Sequence, residues 1–554
     1  MPPRVVRVLP DVPAIDKTFD YLVPEPLRDH VRVGDVVRIA LHGRRVGGWI
    51  VELDVDPPAG VALRPLTKRS GLGPTPDLLD LARWAAWRWA GRTASLLKTA
   101  SPERVVARLP SAPVSRAAQP QVGPVLRAAL DDGRAVVRLP PGADPAAVAA
   151  VVAARGNALI VCPTVAMADM IATRLRRSGV VVAQHPGDWA AGAAGATVIG
   201  ARAAVWAPVG DLGAVLVLDE HDEVHQQEQS PTWHARDVAI ERARRAGVPC
   251  VLTSPCPSLE ALAWGTLHVP DRARERAGWP VVEVVDRREE DPRAASIISP
   301  ALTRLVRSEQ RVLCILNRTG RSKLLACVAC GELARCAACQ ASVEQPSDDL
   351  HCRRCGATRP AVCLHCGGTR FKNVRAGVSR VRDDLEALVG EAVAEVTASS
   401  DVREASTRVV VGTEALLQRI GRADAVAFLD LDQELLVPRY RAAEQAFGLI
   451  ARAARVVAAA PGTPGRGGGR LLLQTRSPEH EVVQAAVHAD PGRVADAERE
   501  RRALLRLPPF AAVAEVSGAA ADAFITALGR PPGMEVAALA EGRWLLRASD
   551  HATL

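Results

Sequence analysis

Cys327-Val328-Ala329-Cys330, Cys336-Ala337-Ala338-Cys339, Cys352-Arg353-Arg354-Cys355 and Cys363-Leu364-His365-Cys366 are four Cys-x-x-Cys pairs in one short segment. Such a pair on a tight turn aims two thiolates at one point. Two pairs complete a tetrahedral Zn²⁺ site, so four make two sites. Gly331, Gly356 and Gly367 each follow the second cysteine of a pair, where the turn is easiest with positive φ. Four regular copies set coincidence aside. Disulfides would need an exported chain, and Met1-Pro2-Pro3-Arg4 has no apolar stretch behind it. With all positions filled by cysteine, both sites are closed and structural, with no open position for water chemistry. Spacing alone leaves open which pairs share a metal.

Outward from this segment, short apolar runs at 311–316, 409–411, 425–429 and 470–474 alternate with helical stretches. The metal module is thus expected as an insertion in an α/β lobe. A similar series precedes it. Strand candidates at 135–139, 158–162, 180–183, 197–199, 214–218 and 248–253, with helices at 145–154, 165–177 and 234–245, predict a doubly wound parallel sheet. Residues 1–68 hold short β-branched runs broken by Pro, Gly and charge, the pattern of a small barrel. Residues 77–98 have helical spacing, with Trp84, Trp87 and Trp89 read as packing residues. Residues 102–124 read as a Pro/Ala/Ser linker and 461–469 as a glycine-rich surface loop. An amphipathic helix is expected over 479–505, then a short tail with strands.

The 70 Lys and Arg outnumber the 62 Asp and Glu, but only five are lysines. Arginine suits bidentate phosphate contacts, so the excess fits a nucleic-acid partner; it fits a GC-rich coding sequence equally. No run is long enough to span a membrane. Cys162, Cys250, Cys256 and Cys314 read as buried thiols, and the compartment as cytosol.

Residues 216–222, an apolar strand ending in Asp219-Glu220-His221-Asp222, form an acidic box of the kind that holds Mg²⁺ in nucleotide hydrolases. Together with 18–24 (TFDYLVP), 198–208 (VIGARAAVWAP), 233–239 (WHARDVA), 313–320 (LCILNRTG) ahead of the cysteines, 438–444 (PRYRAAE) and 506–510 (RLPPF), it makes the chain resemble the bacterial replication-restart PriA family over almost its whole length. The resemblance implies a multidomain α/β protein. Its expected parts are an N-terminal 3′-DNA-end-binding domain at 1–105 built on the barrel, a linker at 106–124 and a RecA-like helicase lobe at 125–275. A second lobe at 276–326 and 373–478 would carry a double zinc-ribbon insertion at 327–372, and a small α+β C-terminal domain would occupy 479–554. It implies nested zinc sites: Cys327, Cys330, Cys363 and Cys366 on one ion; Cys336, Cys339, Cys352 and Cys355 on the other. Phe19 and Asp20 match two residues of the family's pocket for a nascent-strand 3′ end, and Arg64 stands as a basic third; the plain alternative is that Phe19 is core. Expected partners are forked or branched DNA, the replicative-helicase loading machinery and single-stranded-DNA-binding protein, in a cytoplasmic, nucleoid-associated setting.

The nucleotide site departs from that pattern. The phosphate-loop position reads Leu139-Pro140-Pro141-Gly142-Ala143-Asp144-Pro145. It has no lysine and no Ser/Thr, and three prolines delete backbone donors. The acidic box is one glutamate short, a Ser-Ala-Thr-like turn reads Ser254-Pro255-Cys256, and the glycine-rich arginine motif reads Ala451-Arg452-Ala453-Ala454-Arg455. Gly142, Asp219, Glu220, His221, Arg452 and Arg455 thus mark a degenerate nucleotide site, and ATP is not expected as a cofactor. The winged-helix segment is not identifiable, and the C-terminal domain is expected to be incomplete. The first expectation is a fork-binding restart scaffold without ATPase or helicase activity. The alternatives are an active 3′-to-5′ helicase with a divergent phosphate loop, or a zinc module serving protein assembly alone. Arg353, Arg354, Arg359, Arg370, Lys372 and Arg375 are candidates for phosphate or an acidic partner, or a solvated face.

Overall fold

The computed structural model describes all residues except 1–3, 14, 57–59, 115–119, 289–296, 317–323, 347, 374–377, 397–406 and 459–468. Asn317 to Gly320, Arg375 and most of the 461–469 loop therefore lie outside the described residues. The chain forms two compact units: residues 1–137, 144–254 and 264–269, and residues 138–143, 255–263 and 270–554.

In the first unit, Val5–Pro10, Phe19–Leu22, Val36–Leu41, Arg44–Leu53 and Lys68–Gly71 form an antiparallel sheet. Lys68–Gly71 and Phe19–Leu22 are its edges, yet the chain just before the former bonds the latter. Leu22 N–H donates to Arg64 O, and Leu66 N–H to Leu22 O, each at 2.9 Å. Val6, Val8, Tyr21, Val37, Ile39 and Ile50 fill the inner face, as period-2 alternation requires. Two helices follow, Pro76–Arg88 and Thr93–Ala100. Here the tryptophan expectation needs correction. Trp84 and Trp89 pack edge-to-face at 5.4 Å, but Trp87 points to solvent and is 60% exposed. It sits opposite the buried Leu78, Leu81, Ala82 and Ala85 stripe.

The rest of this unit is a seven-stranded sheet in the order 266–268, 134–138, 250–254, 212–217, 157–161, 197–200, 182–184. Its central pairs are parallel. Helix Val165–Arg177 begins where Thr164 Oγ1 accepts from Met167 N–H at 3.1 Å and ends in Arg174, Arg176 and Arg177, complementing the helix dipole. Burial pushes the thiols of Cys250 and Cys314 up to about 12 and keeps Cys162 high as well, so these are inert core thiols.

In the second unit, strands 281–286, 470–475, 425–428, 312–315, 409–412 and 394–396 form a wholly parallel sheet in that order. Between 312–315 and helix Val378–Val389 lies the cysteine module. The single helix expected over 479–505 is two, Glu481–His488 and Gly492–Leu505. Ala489 turns left-handed at φ 49°, and Pro491 cannot continue the first helix. The tail is a three-stranded antiparallel sheet, 512–517, 543–548 and 534–540, with helix Ala521–Leu528. Motif 438–444 is structural. Arg502 is fully buried against Glu498 at 2.9 Å and Glu444 at 2.5 Å, with the Tyr440 ring 5.1 Å from its guanidinium. The same cluster holds residues 255–263 in this unit, through Leu259 N–H to Glu444 (3.0 Å) and Arg441 to Glu260 (2.8 Å).

Candidate metal centres and candidate nucleotide site

Two short antiparallel ribbons build the module. Leu325–Cys327 pairs with Phe371–Asn373, placing the first cysteine pair beside the last; Asp349–His351 pairs with Thr358–Pro360 between them. The outer tetrad is Cys327, Cys330, Cys363 and Cys366, and the inner one Cys336, Cys339, Cys352 and Cys355. The Sγ pairs Cys327–Cys366 and Cys330–Cys363 lie at 3.6 and 3.7 Å, and Cys336–Cys355 and Cys339–Cys352 at 3.5 Å. A tetrahedron with Zn–S bonds near 2.3 Å has edges of about 3.8 Å, so both tetrads fit such an ion.

The four knuckles share one backbone pattern. The residue after each pair donates its N–H to the first cysteine's carbonyl: Gly331 to Cys327, Gln340 to Cys336, Gly356 to Cys352 and Gly367 to Cys363, at 2.9–3.0 Å. All four donors have positive φ, from 60° at Gln340 to 81° at Gly331. Sequence reasoning found the three glycines and missed Gln340, which meets the same demand with a side chain. It also missed Gly368: a Cβ there would lie 3.0 Å from Cys327 Sγ. The Gly-Gly doublet was its only signal.

The inner site is tied to the unit that carries it. Ser342 N–H donates to Leu436 O at 2.9 Å, and Arg335 Nη2 to Ser477 Oγ at 2.9 Å; Ser477 Oγ in turn donates to buried Asp432 at 2.7 Å. The candidate basic surface is reduced accordingly. Arg354 is almost buried and faces Glu498 at 3.9 Å, Arg359 folds back onto the carbonyls of Arg335 and Val362, and Arg353 pairs with Glu344 at 2.7 Å. Arg370 and Lys372 are exposed.

At the phosphate-loop position, Gly142 N–H donates to Gly278 O at 3.0 Å and Ala143 N–H to Pro140 O at 2.9 Å. Asp144 caps helix Pro145–Ala153, accepting from Ala146 N–H at 3.1 Å, and binds Arg174 at 2.6 Å. In the acidic box, Glu220 is fully buried and paired with Arg236 at 3.2 Å; Asp219 has φ 50°; His221 Nδ1 and Ser254 Oγ share a hydrogen bond of 2.8 Å. These belong to the first unit. Arg452 and Arg455, half-buried on helix Ala442–Ala458, belong to the second.

In the N-terminal sheet, Phe19 is half-buried against the core. Asp20, on the opposite face, binds Arg7 at 2.9 Å, and Arg64 is exposed beside Leu22.

Two parallel α/β sheets, an antiparallel N-terminal sheet and an inserted module with two four-cysteine centres define a multidomain α/β protein with a metal-ribbon insertion. The 3′DNA-binding domain (3′BD) model of PriA matches residues 7–102. The chain is 31% identical to the probable replication restart protein PriA of Mycobacterium tuberculosis, across 93% of this chain and 86% of that protein. It is 27% identical to replication restart protein PriA of Bacillus subtilis, across 56% of this chain and 42% of that one. The chain belongs to the PriA replication restart family. Among solved structures, Saccharomyces cerevisiae Dbp5 bound to RNA and ADP BeF3 aligns with TM-score 0.36 and 12% identity, over 69% of this chain and 92% of that one. Among the described residues, no helix is long and apolar enough to cross a membrane.

Proposed function

We propose that this protein is a replication-restart factor that binds branched DNA forks and promotes reloading of the replicative helicase without hydrolysing ATP. One observation carries the non-hydrolytic part: the loop where phosphates would sit is already satisfied by the chain. Phosphoryl transfer relies on free backbone N–H groups and a lysine to offset developing charge. Here Gly142 and Ala143 spend their N–H groups on carbonyls, and Asp144 brings its own negative charge.

In this reading both tetrads hold Zn²⁺ as structural ions. Phe19, Asp20 and Arg64 receive the 3′ end of a nascent strand, Phe19 offering a ring edge and Arg64 a cation. The loading machinery and single-stranded-DNA-binding protein are its protein partners, and the cytoplasm its compartment. The test pairs ATP hydrolysis at saturating forked DNA with a fork-binding titration. Binding without turnover is expected. Turnover that survives repurification would return the active-helicase reading.

A further inference from the structure

We propose that Trp87 is a stacking platform for an unpaired base of single-stranded DNA, set on the first helix after the N-terminal sheet. Trp84 and Trp89, its neighbours in sequence, hold each other edge-to-face, and the Arg88 guanidinium covers Trp89 at 5.2 Å from the ring centroid. Trp87 has no such role and leaves 60% of its surface to solvent. Its broad, rigid indole face is open to a flat partner.

The surroundings point to nucleic acid. Arg83 shares the helix face with Trp87 at i−4, half-exposed and ion-paired with Asp80 at 3.1 Å; beyond the helix, Arg92 and Lys98 are exposed. Across 76–104, five basic residues outnumber Asp77, Asp80 and Glu103, so the segment carries a small positive excess that favours a phosphate-bearing partner. The exposed neighbours on this face, Asp80, Arg83 and Ala90, include no large aliphatic side chain, which disfavours an apolar protein partner. An aromatic face among arginines is the arrangement that binds single strands without reading sequence. The turn after Trp87 is also fixed in place. A Cβ at Gly91 would lie 2.3 Å from Pro231 Cβ, in the loop that follows the acidic box.

The inference rests on the DNA-end reading of residues 7–102, and the experiment separates the two. The full-length protein is titrated with a blunt duplex fork and with the same fork carrying a single-stranded oligo-dT tail. Trp87→Ala is expected to lose about tenfold in affinity for the tailed fork, to leave the blunt fork unchanged and to keep its circular dichroism spectrum; Trp87→Tyr is expected to retain most of the tail affinity. Equal tail affinity in Trp87→Ala and the parent overturns the platform while leaving the fork reading standing. Failure of the parent to bind either fork overturns both.

Discussion

Asp144 and Arg174 form a two-oxygen ion pair, 2.6 and 2.7 Å, at the head of helix Pro145–Ala153. The helix N-terminus that would attract a phosphate is occupied by the chain's own carboxylate. Mg-ATP is therefore expected to leave the melting temperature unchanged, whereas a ligand at about a hundredfold its Kd adds about 2.7 kcal/mol of stability. Asp144→Ala should cost about 1 kcal/mol as a lost cap and still confer no nucleotide response, since Pro140, Pro141 and Pro145 remain. A nucleotide-dependent rise in either protein would contradict this account.

Metal analysis should find two zinc ions per chain. Cys336→Ser and Cys327→Ser should each leave one, but their structural effects should differ. The inner site carries the Ser342–Leu436 backbone bond to the end of helix Asp432–Leu435 in the second unit. Amide exchange at Ser342 should rise sharply in Cys336→Ser and little in Cys327→Ser. Equal protection in both would mean that the metal does not hold that bond.

Gln340 occupies a left-handed position at φ 60°, where a side chain costs about 1–2 kcal/mol relative to glycine. Gln340→Gly should accordingly stabilise the inner site, read as slower zinc loss to a chelator. Faster loss would show that the Gln340 side chain contributes more than its backbone costs.

Acid should weaken the first unit. Burial, with Arg242 adding to it, lowers His185 to about 4, and burial lowers His225. Unfolded histidines take up protons near pH 6.5 and these folded ones do not. The unfolded state thus binds more protons between about pH 6.5 and 4, so stability is full above that window and falls as pH drops through it. His185 alone accounts for about 3 kcal/mol. His185→Asn should flatten the denaturant midpoint against pH over that range.

Phe19→Ala should reduce the preference for forks with a free 3′ end over blocked ends, because Phe19 is only partly committed to the core. A parent protein that binds both fork types equally would remove the basis for assigning Phe19 to an end pocket.

The sequence was most legible where chemistry imposes a spacing. The four cysteine pairs located both four-cysteine clusters, and the expected helix at 165–177 matches helix Val165–Arg177. Which pairs share a metal was not in the spacing; it is set by the ribbon that pairs Cys327 with Phe371. Trp87 was misassigned because helical spacing places a residue on a face without saying whether that face is covered. Strands Thr266–His268 and Ala394–Val396 escaped notice because three residues give no periodicity. The Arg502 cluster was hidden because its carboxylates come from three distant segments.

Strand Val281–Asp286 was also missed, and its placement bears on biosynthesis. It is an edge strand whose sheet partner is Arg470–Thr475, about 190 residues later. At roughly 5–20 residues per second of translation, this valine-rich segment waits about 10–40 s for its neighbour to leave the ribosome. The cysteine module, whose two ribbons both lie within residues 325–373, can complete itself in that interval. Chaperone demand during synthesis should therefore concentrate on the 281–286 edge, ahead of the metal centres.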